Sequence, residues 1–311
     1  MADDRILSAP VVAHLPTPPS GWYDVGYSLT AAGKIVIRRC DRDMPAEAMQ
    51  RRFAPSSSPP TYGAVKSRLS IFDGQTESVA IESSESFSRC DQLPNGFWVV
   101  AGYSGGDEWD ARILSPRGGL IRRFKIGNAV GHLQCDAAGA IWVGYFDYAS
   151  GEKFGLIKFD DHGRILWRAD SNETALMDIF DCYALNVNGD RTWAYYYLDF
   201  PIVDIDANGR TRVRKCSTDG ADALAVSGEM AMLAGGYGED RNRIVLLDLD
   251  DDFAHVVEQF RLDTVPEFDP SRPWLFEARG EALHMVHEGV WRRLSVTDVY
   301  ACVQSSSLRR P

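Results

Sequence analysis

The chain has 311 residues with 33 basic and 44 acidic side chains, a net charge of −11. Such a surface repels nucleic-acid phosphates and anionic lipid at long range, so neither is expected as a partner. Hydrophobic residues make up 45% of the chain, with eight Trp, twelve Tyr and fourteen Phe, enough for a packed core, yet no apolar run nears the roughly 20 residues of a membrane helix.

The N-terminal MADDRILSAPVVAHLP puts acidic residues before a short apolar stretch, the reverse of a signal peptide's positive start, and a cytoplasmic location is expected. Within it, Val11–Leu15 reads as a strand with no hairpin partner of its own. YSLTAAGKIVIRR follows as an antiparallel hairpin whose turn closes at Gly33. Residues 44–60 (MPAEAMQRRFAPSSSPP) lack strand alternation and read as an insertion in the first repeat, either a binding lid or a tolerated surface loop; Pro45–Phe53 suits one or two helical turns.

The hairpin then recurs, with turn glycines at Gly96, Gly139, Gly189, Gly228 and Gly280; its clearest copy is GHLQCDAAGAIWVGYFD, Gly131–Asp147. Most copies are followed by a second hairpin, turning at Phe72–Gln75, Ser115–Gly118, Asp160–Gly163 and Asp206–Gly209, while Asp250–Asp252 takes that place without a glycine. Two hairpins make a four-stranded antiparallel blade. Six of them predict an all-β six-bladed propeller, one domain over residues 1–311. The last unit offers Trp274–Glu277, Ala282–Val286 and Val290–Val296, with Val299–Val303 as a weaker fourth strand. Val11–Leu15 is therefore expected to pair with the final blade and lock the ring.

The six cysteines include no C-x-x-C pair, so no zinc ribbon or thioredoxin-like site is indicated; Cys90, Cys135 and Cys182 fall in successive inner strands and read as buried free thiols. Other motifs fail. His287-Glu288 has no second histidine at zincin spacing, Gly102–Gly106 is not a nucleophile elbow, Gly235–Gly238 opens no helix, and Asp248–Asp252 lacks the calcium-loop pattern.

In a propeller the starts of the inner strands and the ends of the second strands meet on one face around the axis. The strand starts bring Asp24, Arg89, His132, Asp181, Asp222 and Trp274 there; the second-strand ends bring a repeated aromatic followed by an acid, as in Tyr103 before Asp107, Tyr145–Asp147, Tyr197–Asp199 and Tyr237–Glu239. Recurrence has a structural reading, a tyrosine bracing adjacent blades and an acid accepting loop amides. What varies between blades has a functional one. Arg89 would clamp a carboxylate or phosphate and His132 would act as general base beside Asp181 and Asp222. No cofactor is assigned. The same acids would suit Ca²⁺ or Mg²⁺, and a histidine among them Zn²⁺ or Mn²⁺.

The glycine turn followed by an aromatic strand, clearest in AAGAIWVGYFD and PNGFWVVAGY, resembles blades of the NHL and gluconolactonase-like (SMP-30-like) propellers and the sensor propellers of two-component regulators. The gluconolactonase-like resemblance implies one divalent metal in the channel, held by a Glu, an Asn and one or two Asp, with Asp181 and Asp222 at such positions. The Glu and Asn of that set have no evident counterpart.

Two functions from different classes follow. The first is a non-catalytic propeller binding a protein or peptide on its channel face through Asp24, Tyr103, Trp109, Tyr145, Asp147, Tyr197, Asp199, Tyr237 and Trp274. The alternative is a small-molecule hydrolase or lyase working in the channel through Arg89, His132, Asp181 and Asp222. A sensor or carrier of a small polar ligand is the third reading.

Overall fold

The turn glycines are where the backbone reverses. Gly33, Gly96, Gly139, Gly189, Gly228 and Gly280 in the first hairpins, and Gly74, Gly118, Gly163 and Gly209 in the second, all have φ between 58° and 100°. That region is open to glycine and strained for residues carrying a Cβ. The fifth unit turns instead on Asp250, whose carboxylate accepts from the amides of Asp252 and Phe253.

The computed structural model describes residues 5–43, 66–83, 87–103, 109–127, 129–146, 155–169, 181–264 and 273–307. The insertion expected at 44–60, Asp147, and the side chains of Tyr103 and Trp109 lie outside the described residues. Strands β1 (Arg5–Leu7) and β2 (Val11–His14) precede the first blade, which comprises β3 (Tyr23–Leu29), β4 (Ile35–Cys40), β5 (Ser67–Phe72) and β6 (Glu77–Ser83). The second holds β7 (Arg89–Gln92), β8 (Trp98–Tyr103), β9 (Trp109–Leu114) and β10 (Leu120–Gly127), and the third β11 (Val130–Cys135), β12 (Ile141–Tyr145), β13 (Leu156–Phe159) and β14 (Ile165–Arg168). The fourth has β15 (Cys182–Asn188), β16 (Arg191–Tyr196), β17 (Ile202–Ile205) and β18 (Thr211–Cys216); the fifth has β19 (Ala223–Ser227), β20 (Met230–Ala234), β21 (Arg243–Leu249) and β22 (Phe253–Leu262). The last is β23 (Leu275–Arg279), β24 (Ala282–His287) and β25 (Val290–Ser295), completed by β2.

The protein is thus an all-β propeller of four-stranded antiparallel blades. Val11 pairs with Arg292 and His14 with Val290, so the N-terminal strand joins the final blade as expected. The inner strands β3, β7, β11, β15, β19 and β23 neighbour one another in turn, and β23 returns to β3. The arrays are less independent than the repeat implies. Lys215 and Cys216 on β18 pair in parallel with Phe253 and Ala254 on β22, fusing the fourth and fifth blades, and β1 adds to the far end of β22 through Arg5–Phe260 and Leu7–Leu262.

Burial follows distance from the axis. All six residues of β11 are buried, whereas β10 alternates and leaves Leu120 and Ile121 exposed. Inner strands are thus largely buried on both faces, with polar as well as apolar side chains, and outer ones are amphipathic because one of their faces is in water. The inner cysteines Cys90, Cys135 and Cys182 are buried free thiols, as expected.

One element departs from the sequence reading. Val299–Val303 is not a fourth strand but lies in a helix, α1 (Val296–Ser307). Ser295 caps it: its Oγ accepts from the Asp298 amide, and the Asp298 carboxylate accepts from the Ser295 amide, a reciprocal box that favours helix at this point. Val296 and Val299 then share a helix face and bury with Leu283 and Phe260, which a strand at the last blade's edge, already taken by β2, could not do. Among the described residues no helix is long and apolar enough to cross a membrane.

Candidate functional site

The axis is occupied by polar side chains from the inner strands, none of which the sequence pattern singled out. Asp91 on β7 is fully buried; its carboxylate accepts from the amides of Gln92 and Cys135, both at 2.7 Å, and from Arg279 Nη1 at 3.2 Å. Burial pushes this acid above the usual carboxylate range, against the pull of the Arg279 charge. Arg279 also donates to the Cys135 carbonyl. Gln134 donates to Leu185 O and to the Glu277 carboxylate, and Asn186 donates to Leu224 O and Gly280 O while accepting from the Gly280 amide. These bonds join the second, third, fourth, fifth and last blades across the axis. On the first blade Gly26 leaves space that Arg38 fills: a Cβ there would sit 1.9 Å from Arg38 Nη2, and Arg38 Nη1 donates to Phe87 O at 3.2 Å.

The residues expected at the strand starts are largely engaged in joining blades. His132 is 3% exposed, with Nε2 3.1 Å from Cys182 O and 3.2 Å from Tyr183 O. Both neighbours only accept, so Nε2 carries the proton and ties the third blade to the fourth. Arg89 donates through Nε to Gly131 O at 2.9 Å and through Nη1 to Ser88 O. Asp24 pairs with buried Arg39 at 2.6 Å and accepts from Tyr27 OH; Arg39 also reaches Glu77 and Pro16 O. Trp274 packs partly buried beside Phe276. The Asp222 carboxylate lies against Gly235, where a Cβ would approach it to 2.6 Å. Among the described residues no three His, Cys, Asp or Glu side chains come together as a metal site. Asp181 and Asp222 therefore belong to no such group among the described residues. The inner thiols are poor nucleophiles, since burial pushes Cys90 up to about 11 and Cys182 to about 12.

The repeated tyrosines divide into two kinds. Tyr145 is buried, and its hydroxyl donates to Ile126 O on the second blade, the bracing role. Tyr197 and Tyr237, at the ends of the corresponding strands in the fourth and fifth units, are 45% and 53% exposed. Between them stands Tyr183, at the start of β15, whose hydroxyl is 2.7 Å from that of Tyr237. Its ring is 5.0 Å from Phe146, 6.4 Å from Tyr197 in a stacked arrangement, and 5.3 Å and 6.3 Å from Phe200 and Tyr237 in edge-on ones. Burial and then the Tyr237 hydroxyl push the Tyr183 phenol above its ordinary value, with the Asp181 and Tyr197 charges adding to this. Leu198 extends the surface at 47% exposed. Asp199 and Phe200 have φ of 60° and 49°, a left-handed backbone that non-glycine residues adopt at a cost of about 1–3 kcal/mol. Phe146, Tyr183 and Phe200 belong to this site as much as the expected Asp181, Tyr197, Asp199 and Tyr237.

A family model described as YxzG family matches residues 140–247, about a third of the chain, and that segment contains every ring of this cluster. No curated protein matches the sequence. Among solved structures, Hsv2 of Kluyveromyces marxianus superposes with a TM-score of 0.51 at 10% identity, covering 88% of this chain and 72% of that one. Hsv2 of Kluyveromyces lactis gives 0.51 at 13%, with coverage of 88% and 73%. A catalytically inactive virginiamycin B lyase from Staphylococcus aureus gives 0.49 at 13%, with coverage of 91% and 98%. At these identities the Hsv2 likeness shows the propeller fold alone.

Proposed function

We propose that this propeller is a non-catalytic binding module that takes a protein or peptide partner on the strand-start face, at the aromatic cluster centred on Tyr183. The observation that carries the reading is the exposure of Tyr197, Leu198 and Tyr237 as one surface over the partly buried rings of Tyr183 and Phe200. Aromatic rings are enriched at the centres of interfaces because they bury large area with few rotatable bonds, whereas polar rims contribute little. Support for the hydrolase or lyase alternative is weaker: His132 Nε2 already donates to backbone carbonyls, and so does Arg89.

Selection of a displayed random-peptide library on the purified chain tests this, with the Tyr197→Ala/Tyr237→Ala variant as counter-screen. Peptides are expected to enrich on the wild type and to lose about tenfold or more in affinity on the variant, the usual effect of removing central aromatic anchors. No enrichment, or equal binding to both proteins, would refute the reading.

A further inference from the structure

We infer that the partner presents a basic segment to this face, with an arginine or lysine side chain seated on the rings of Tyr183, Tyr197, Phe200 and Tyr237 among the carboxylates of Asp199, Glu239 and Asp181; this rests on the peptide-binding reading above. Ring faces carry negative potential and attract a guanidinium or ammonium, by about 0.5–1 kcal/mol when exposed and about 2 when desolvated. Asp199 follows Tyr197 by two residues and Glu239 follows Tyr237 by two, both exposed, and the Asp181 charge acts on the Tyr183 hydroxyl.

The guanidinium groups of Arg243 and Arg261 are engaged by other groups. Arg243 pairs with Asp219 and Asp240 and donates to the Gly235 carbonyl. Arg261 pairs with Asp240 and donates to the Glu239 backbone carbonyl and to Asn242 Oδ1. The exposed turn Tyr197–Phe200 keeps its strained Asp199 and Phe200, where one supplies a carboxylate and the other a ring. A net charge of −11 adds long-range attraction for a basic partner and slows the approach of an acidic one.

The test is fluorescence anisotropy with a labelled Gly-Ser peptide carrying spaced arginines, its glutamine analogue and its glutamate analogue. The arginine peptide is expected to bind about tenfold or more tighter than the glutamine peptide, and the glutamate peptide not at all. Tyr197→Ala/Tyr237→Ala leaves net charge unchanged and is expected to weaken the arginine peptide about tenfold. Asp199→Asn/Glu239→Gln keeps every ring and is expected to weaken it by a few-fold, roughly one exposed ion pair's worth per carboxylate. This second variant also keeps the test decisive should the first fail to fold.

Undiminished arginine-peptide binding to the tyrosine variant would mean diffuse surface charge and would overturn the inference. Equal binding of the arginine and glutamine peptides to the rings would also overturn it, while leaving the peptide-binding reading in place. Failure of these peptides together with an empty library selection would remove both.

Discussion

Replacing Arg279 by methionine strips one partner from the ion pair at the axis. In the wild type Asp91 is fully buried and Arg279 6% exposed, so the substitution leaves a buried carboxylate held only by the Gln92 and Cys135 amides. It also removes the donor to the Cys135 carbonyl. Removing one member of such a pair costs about 3–5 kcal/mol. With an unfolding entropy near 2.1 cal/mol/K per residue, a chain of this length should lose about 5–8 °C in Tm. The pH dependence has a definite sign. Burial already raises Asp91 above 3.8, and without Arg279 it rises further. The penalty belongs to the charged form, so it is largest above the raised value and shrinks as pH falls through the window down to 3.8, where the folded protein takes up the proton first. Differential scanning calorimetry across this range reads both effects, and the double variant with Asp91→Asn should lose less than the sum of the single ones. A change in Tm within about 1 °C, or a loss independent of pH, would refute the assignment of this pair as the tie across the axis.

His284 is buried, its Nδ1 accepts from Trp291 Nε1, and burial lowers it from 6.5 to about 4. The unfolded chain therefore binds the proton first, and stability should fall as pH drops from 6.5 toward 4, by up to about 3 kcal/mol; His284→Gln should flatten that part of a Tm–pH profile, and an unchanged slope would assign it elsewhere. His132→Ala should destabilise by about 1–3 kcal/mol in chemical denaturation, because the Cys182 and Tyr183 carbonyls lose their imidazole donor; unchanged stability would restore a freer, more chemical role for this histidine. Gly220→Ala puts a Cβ 2.5 Å from the Tyr237 ring at a φ of +65°, and should cost about 1–3 kcal/mol while displacing that ring; wild-type stability would contradict the close packing beneath the cluster.

Much of the architecture was written locally. A glycine after a short polar turn marks each first hairpin because the left-handed backbone required there is chemically selective, and all six lie where expected. The closure by Val11–His14 followed from a strand without a neighbouring partner. Val299–Val303 misled because valines favour strands, whereas the Ser295–Asp298 capping box and the core face under Val296 and Val299 decide for helix.

The site was harder to read. Tyr145, Tyr197 and Tyr237 share a place in the repeat, yet only Tyr145 turns inward to Ile126, a choice set by the neighbouring blade rather than by local pattern. The axial group of Asp91, Gln134, Asn186, Glu277 and Arg279 left a usable trace, polar residues on otherwise apolar inner strands. Its pairing joins residues as far apart in sequence as Asp91 and Arg279, which no local spacing encodes.

Amide hydrogen exchange with and without the arginine-bearing Gly-Ser peptide locates the partner on the surface. Protection is expected at residues 195–200 and 235–240, with Tyr183 at its centre and the outer strands unchanged. Protection confined to another face, or none under saturating peptide, would contradict the aromatic face as the binding site.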